Sequence, residues 1–350
     1  MMAAMAQQIG APRPEIVERA RELAEEVLIP GAAEADSVPL LPVARLDALA
    51  AAGLHGLLGP RSAGGLEADP PTYHQVIEEL ARGCVTTAFV FAQHHSAVRA
   101  VALGPAPLRA RWLAPLCRGK VRAGVAFSGL RRTGPPPLVA TLRNEVVVLE
   151  GQAPFVSGWG LIDVVHVAAR TPTGAVLWCL VDAQASPSLV ATPLSLGALG
   201  ASGTVVLRFH GHAVSAERIT ALEPFADWQA RDARGLRSNG SHALGLARRC
   251  AELSSSARLA AEIAACRHAL DTASADALPD ARAAASLLAL RAAARLVAQG
   301  GGGAMVAGSD AERLFRQAGM LLVFGQTPTI RQAMLERIDA EPATLSHKGS

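Results

Sequence analysis

Apolar positions fall at helical spacing through the first third of the chain, switch to short β-branched runs, and then return to helical spacing. Ile16, Ala20, Leu23 and Val27 lie three and four residues apart between Pro14 and Pro30, which predicts an amphipathic helix. Val43–Leu57 repeats the pattern and is followed by a loop carrying Gly64-Gly65. Thr72–Arg82 reads as a helix closed by Gly83, and residues 84–103 and 107–116 complete the helical set. From about Ala123 the periodicity changes. Val146–Leu149, Asp163–Ala169, Ala175–Val181 and Thr204–Phe209 are short β-branched runs separated by Gly, Pro, Ser or Asn, as in a small antiparallel barrel or sandwich. After Pro224 helical segments are expected at 231–253, 258–274, 280–299, 310–324 and 329–338.

This α, β, α order predicts three parts: residues 1–122 helical, 123–222 β, and 223–350 helical, packed in layers around a shared site. No internal period suggests a solenoid. Half of the 350 residues are apolar and 18% are charged, enough for a sizeable core and incompatible with global disorder. No apolar run reaches the roughly 18–20 uncharged residues a membrane helix needs. The best candidate, Ala283–Val297, is cut by Arg291 and Arg295. Met1–Gly10 lacks the basic-then-apolar order of a secretory signal.

Charge says little about partners. The net +3 is spread out, aromatics are 4%, and Tyr73 is the one tyrosine, so the basic stripe with interleaved aromatics of a nucleic-acid binder is absent. Lys120 and Lys348 are the only lysines; arginine and alanine richness reflects a GC-rich coding bias. Cys84, Cys117, Cys179, Cys250 and Cys266 are widely spaced with no CxxC pair, which argues against a sulfur-ligated zinc and for a reduced, cytoplasmic protein.

Several segments, in order and spacing, carry a resemblance that covers nearly the whole chain. They are Gly53-Leu54 with Gly64-Gly65, Ile77–Arg82, Glu150–Gly158 (Glu-Gly-Gln-Ala-Pro-Phe-Val-Ser-Gly), Gly200-Ala201-Ser202, Gln299–Gly303, Phe315-Arg316-Gln317-Ala318, and Phe324-Gly325-Gln326-Thr327. With the element order, they resemble the acyl-CoA dehydrogenase superfamily. The resemblance implies an α+β fold: an N-terminal helical domain, a central antiparallel β-barrel or sandwich, and a C-terminal four-helix bundle. It implies FAD as cofactor, an acyl thioester on CoA or a carrier protein as substrate, and a homodimer or homotetramer. By motif position Phe155 would lie against the flavin, Ser157 would hydrogen-bond near its N5, and Gly301, Gly302, Arg316 and Thr327 would contact the cofactor. The residues alone equally allow Phe155 as a strand-end core aromatic, Ser157 as a turn residue and Arg316 as a helix-surface arginine.

The implied chemistry removes an α-proton with a carboxylate in a dry pocket while the β-hydride passes to flavin. Here the chain departs from the pattern. Gly325 stands where the family motif has its glutamate, and Gly235 stands near the alternative helical position of that base. Asp232 lies one helical turn from Gly235 and is the nearest acid. Glu252–Arg258 runs straight on where the family inserts a loop whose arginine meets the flavin pyrophosphate, and Phe127–Pro137 lacks the acid and Gly-Ser of a flavin-contacting segment. His94-His95, placed at the end of a helix, are candidates for an acid, a base or support of oxygen chemistry; the plain alternative is one exposed and one packed histidine. His210 and His212 share a strand face but lack further metal ligands. Three functions therefore stand open: a flavin oxidoreductase of an acyl thioester, a flavin-dependent monooxygenase of the same fold, and a non-catalytic subunit of a heterotetramer with an active homologue.

Overall fold

A computed structural model describes residues 11–340. Met1–Gly10, whose composition argues against a secretory signal, lies outside the described residues. The first helices are α1 (Pro14–Leu23), the short α2 (Glu34–Ser37), α3 (Val43–Ala51), α4 (Pro70–Gly83), α5 (Val85–Leu103) and α6 (Ala106–Cys117). Helix α1 starts with proline at its first turn, where no backbone donor is lost, and α4 is capped by Asp69, whose carboxylate accepts the Thr72 amide at 2.8 Å. A π-helical turn, Ala24–Leu28, extends α1. It moves the buried face: Ala24 and Leu28 are inside, whereas Leu23 and Val27 are half-buried. The wider π-turn carries more residues per revolution, so the regular 3.6 period used on the sequence misplaces the face by one position.

The strands are β1 (Ala123–Ala126), β2 (Leu138–Arg143), β3 (Val146–Val156), β4 (Val164–Arg170), β5 (Val176–Asp182), β6 (Leu189–Pro193), β7 (Val205–Ser215) and β8 (Ile219–Glu223). They form one sheet in the order β6-β7-β3-β2-β4-β5-β8, with β1 beside β4. The sheet is mixed rather than purely antiparallel: β1 and the Val139–Arg170 pairing of β2 both run parallel to β4. Strand direction is set by where the chain enters from α6, which local periodicity does not encode. β1, β2, β6 and β8 are also additions to the four runs legible in the sequence. β1 is Ala-Gly-Val-Ala with all four residues buried, so it shows no alternation. The sheet core includes Ala140, Val147, Leu149, Val165, Val167, Leu207 and Phe209.

The C-terminal helices are α7 (Phe225–Leu253), α8 (Ala257–Thr272), α9 (Leu278–Gly300), α10 (Asp310–Leu321) and α11 (Pro328–Asp339). The chain divides into two compact units within α7, after Arg231. The first holds the N-terminal helices, the sheet and the start of α7. There the Trp178 indole donates to Glu223 at 2.9 Å, Glu223 pairs with Arg231, and Arg170 lies 3.8 Å over the Phe225 ring. The second unit holds the rest of α7 and α8–α11. Its α7–α8 connection is the tight turn Ser254–Ser256, with Ser256 capping α8.

In the first unit, Gly65 sits in a loop that closes back on Gly59. A Cβ on Gly65 would lie 2.7 Å from the Gly59 Cα and closer still to its carbonyl. Gly65→Ala is expected to destabilise the first unit by about 1–3 kcal/mol, because backbone rather than a flexible side chain must give way. An unchanged thermal melt by circular dichroism would contradict that close approach.

Candidate functional site

In the first unit the site is built at the end of β3. The β3–β7 register breaks between Ala153 and Val156, and within that break Phe155 adopts φ +56° and is 54% exposed. An aromatic residue in the left-handed region costs on the order of 1–3 kcal/mol, and an exposed ring gains little packing in return. Such a residue marks a surface shaped for something else to cover. Two residues on, Ser157 is buried and its hydroxyl meets Thr204 Oγ1 at 2.8 Å, which in turn meets Ser202 Oγ at 2.7 Å. The Ser157 hydroxyl therefore belongs to a buried three-hydroxyl chain under the strand end. The 3-10 turn Ser128–Arg131 docks alongside, with Ser128 Oγ donating to the Pro154 carbonyl at 2.7 Å.

His94 and His95 lie elsewhere in this unit. They sit in the middle of α5, not at its end, and both are buried. His94 Nδ1 accepts the Ala123 amide at 3.1 Å, so the ring is protonated on Nε2, which donates to the Leu116 carbonyl at 3.1 Å. His95 Nε2 donates to the Leu54 carbonyl at 3.3 Å. His55 packs edge-on against His94, ring centroids 4.9 Å apart. Burial drives all three pKa values down: His55 to about 3, His95 to about 4, and His94 well below 6.5 with His55 and His95 adding to the effect. His94 thus joins α5, neutral and buried, to the end of α6 and the start of β1, and His95 joins it to the turn at Leu54. The sequence carried no sign of this, because HisHis in a helix exposes one side chain unless both faces of the helix are covered. Helix α5 is covered on both. His210 is exposed on β7, and His212 Nδ1 meets Ser188 Oγ at 2.9 Å. Among the described residues no cluster of three or more His, Cys, Asp or Glu could hold a metal.

In the second unit the loop Phe324–Thr327 is pinned from several sides. Arg282 on α9 donates to the Phe324 carbonyl at 3.2 Å and to Ser286 Oγ at 2.6 Å, while Ser286 Oγ donates to the Leu321 carbonyl. The His242 ring of α7 meets the Phe324 ring edge-on at 5.1 Å. Thr327 caps α11 by accepting the Ile330 amide at 3.2 Å. Gly325 has φ +62°, and a Cβ there would lie 3.1 Å from the amide carbon of Asn239 and nearer still to its nitrogen. Asn239 was not singled out from the sequence; only the fold brings residues 86 positions apart together. Gly235, by contrast, is exposed on α7 with open space where a Cβ would stand, and Asp232 is half-buried one turn earlier. Gly301 ends α9 at φ +59°, and both it and Gly302 are exposed. Arg316 is paired with Glu312 across one turn of α10.

The residues at the β3 end suit the ring system of a flavin: an exposed aromatic in a strained conformation beside a turn bearing Arg131. The second unit carries Gly301 and Gly302 at the end of α9 and, between α7 and α8, the three serines of a tight turn.

Comparison with known proteins agrees with this architecture. Residues 13–120 match the family model described as acyl-CoA dehydrogenase, N-terminal domain. Those residues carry the sequence signature of the acyl-CoA dehydrogenase N-terminal domain. The short-chain specific acyl-CoA dehydrogenase of Clostridium acetobutylicum is 26% identical over 156 residues, 43% of this chain and 41% of that protein. The matched segment thus spans about two-fifths of that relative's length. Butyryl-CoA dehydrogenase from Megasphaera elsdenii shares the fold with a TM-score of 0.79 at 18% identity, over 92% of this chain and 95% of that one. A glutaryl-CoA dehydrogenase from Mycobacterium smegmatis in complex with FADH2 superposes with a TM-score of 0.77 at 16% identity, over 94% and 95% of the two chains. Among the described residues no helix is long and apolar enough to cross a membrane.

The buried histidines make stability depend on pH. Their folded pKa values lie below the unfolded value of 6.5, so stability is complete above about pH 6.5. It falls as pH drops toward 4, because the unfolded chain takes up protons that the folded one refuses. Each histidine contributes at most about 1.4 kcal/mol per pH unit in that window. A melting temperature that did not drop between about pH 7.5 and about pH 5 would exclude the neutral, buried assignment.

Proposed function

We propose that this chain is a flavin oxidoreductase of the acyl-CoA dehydrogenase type that binds an acyl thioester, on CoA or a carrier protein, without the usual carboxylate base. The observation that carries the reading is Phe155, an exposed aromatic held at positive φ in the register break of β3. Bound there, FAD would supply the hydride chemistry. Phe155 would stack on the ring, and the Ser157–Thr204–Ser202 chain would hold the strand end in place. In the second unit Gly301, Gly302, Arg316 and Thr327 are the residues the family pattern assigns to the cofactor. Arg316 would have to be shared with Glu312, and Thr327 already serves as a helix cap.

No carboxylate is carried at either base position, since these are Gly325 and Gly235. Asp232 has the right charge but sits a turn away from Gly235. Losing a positioned general base typically costs on the order of 10²–10⁴-fold in rate, so ordinary α,β-dehydrogenation is not the reaction proposed. His94 and His95 do not support a monooxygenase either, because both are buried and neutral and each bonds the main chain. The specific observation favouring a second reading, a non-catalytic subunit paired with an active homologue, is the tight Ser254–Ser256 turn in place of a pyrophosphate-contacting loop.

The second unit also exposes large apolar side chains: Met305, Val306, Phe315, Val323, Leu335 and Ile338. A second copy covering them is the partner proposed, with the active homologue as the alternative. The cysteines are all free, four of them buried, which suits the reducing cytoplasm proposed as the setting.

Purified full-length protein given FAD should show a flavin spectrum and a raised melting temperature, and Phe155→Ala should weaken both. No response to saturating FAD, alone or with a co-expressed homologue, would refute the cofactor reading. The flavin-loaded chain should fail to reduce an artificial acceptor with any saturated acyl-CoA at an ordinary family rate; robust turnover would overturn the missing-base argument. Gly325→Glu should not restore activity, because it meets both a left-handed backbone and the Asn239 amide, and it should lower the melting temperature. Light scattering at micromolar concentration should show at least a dimer.

A further inference from the structure

We infer that Asn239 is the polar group this chain presents to the acyl thioester in place of the missing carboxylate, holding the acyl group through a neutral amide. The inference rests on the acyl-thioester reading and on Gly325 marking the base position. Its structural basis lies wholly within the second unit. Gly325 is in the left-handed region, and the volume its side chain would fill is occupied by the Asn239 amide, with Cγ 3.1 Å and Cβ 3.7 Å from the added Cβ.

This placement is rigid on both sides. On α7, His242 stands one turn beyond Asn239 and packs on Phe324, while Arg282 on α9 holds the Phe324 carbonyl. These contacts fix the α7 backbone at Asn239 against the loop, so the amide moves away from Gly325 only by rotating about its own side-chain bonds. Asn239 is half-buried on α7, so its amide is not simply a solvated helix-surface group.

Chemistry separates this group from a carboxylate. An amide offers two N–H donors and one carbonyl acceptor, and it does not take a proton at neutral pH. It can hydrogen-bond a thioester carbonyl or a polar acyl substituent, yet it leaves the α-hydrogen in place. Asparagine and aspartate have nearly the same shape. Asn239→Asp thus changes the group from holder to base without the backbone penalty of Gly325→Glu. In that variant the carboxylate takes the α-proton, giving a carboxylic acid and the thioester enolate. The acid exchanges its proton with solvent and returns one to the α-carbon, with no net oxidation.

The test uses the full-length, FAD-loaded chain and butyryl-CoA in heavy water, with α-deuterium uptake read by mass spectrometry. Wild type should bind butyryl-CoA and exchange at the background rate. Asn239→Asp should raise exchange on the order of 10²-fold, with a rate that climbs as the new carboxyl ionises. Asn239→Ala should weaken butyryl-CoA binding by about 3- to 10-fold, the loss of one hydrogen bond. Separately, in flavin-free protein, Gly325→Ala should lower the melting temperature more in the wild-type background than beside Asn239→Ala, where the amide is gone.

The outcomes sort cleanly. If wild type binds no butyryl-CoA while phosphopantetheine-linked butyrate is also refused, the acyl-thioester reading fails and this inference goes with it. If wild type binds the thioester but Asn239→Asp gives background exchange and Asn239→Ala keeps full affinity, only the present inference is overturned. Equal melting penalties for Gly325→Ala in both backgrounds would remove its geometric basis.

Discussion

Helix α5 is buried on both faces, so an imidazole in its middle faces a requirement for partners inside the protein. His94 meets it with one ring, accepting from the Ala123 amide and donating to the Leu116 carbonyl. Those two main-chain groups are the start of β1 and the end of α6. The ring therefore fixes the point at which the chain leaves the helical layer and enters the sheet. His166 on β4 plays a related part, joining Ser96 of α5 to Thr220 of β8 at 2.9 Å each while stacking on Trp178. Burial keeps these imidazoles neutral, and the neutral form is the one that can both donate and accept.

In the sheet that begins at Ala123, regular pairing of β3 with β7 gives way around Phe155, one residue before the end of β3. A strand that stayed in register would point this residue along the pleat; the break instead turns the ring outward at positive φ. The hydroxyl chain through Ser157, Thr204 and Ser202 secures the backbone beneath it. Strain at an exposed aromatic, supported by a buried polar network, is what a rigid ligand-stacking platform requires. The second unit solves a different problem with a similar device. There a buried arginine, Arg282, holds the Phe324 carbonyl of the loop and the Ser286 hydroxyl of its own helix, and the loop it steadies carries Gly325.

Gly235 and Gly325 are physically unlike. Gly235 faces open space on a helix, so a side chain there would be free to project. Gly325 is conformationally required, with a left-handed backbone and an amide lodged where a side chain would begin. A side chain at 325 would meet both a left-handed backbone and the Asn239 side chain of α7.

Much of the architecture could be read from local pattern. Helical spacing located α4 and α5 and the long C-terminal helices within a few residues, and β-branched runs located β3, β4, β5 and β7, because amphipathic period is a local consequence of having one buried face. The order of motifs resembled that of the acyl-CoA dehydrogenases, and residues 13–120 match the N-terminal domain model of that family. What local pattern could not decide was anything that depends on which surfaces meet. It placed the α1 face one residue early, since a π-turn changes the period, and it passed over β1, whose complete burial erases alternation. It could not tell that His94 and His95 are both interior, since that needs cover on both sides of α5, nor that Asn239 fills the space beside Gly325. Those facts arise from contacts between residues distant in sequence. Burial and hydrogen-bond satisfaction are properties of the assembled neighbourhood, and only the tertiary structure assembles it.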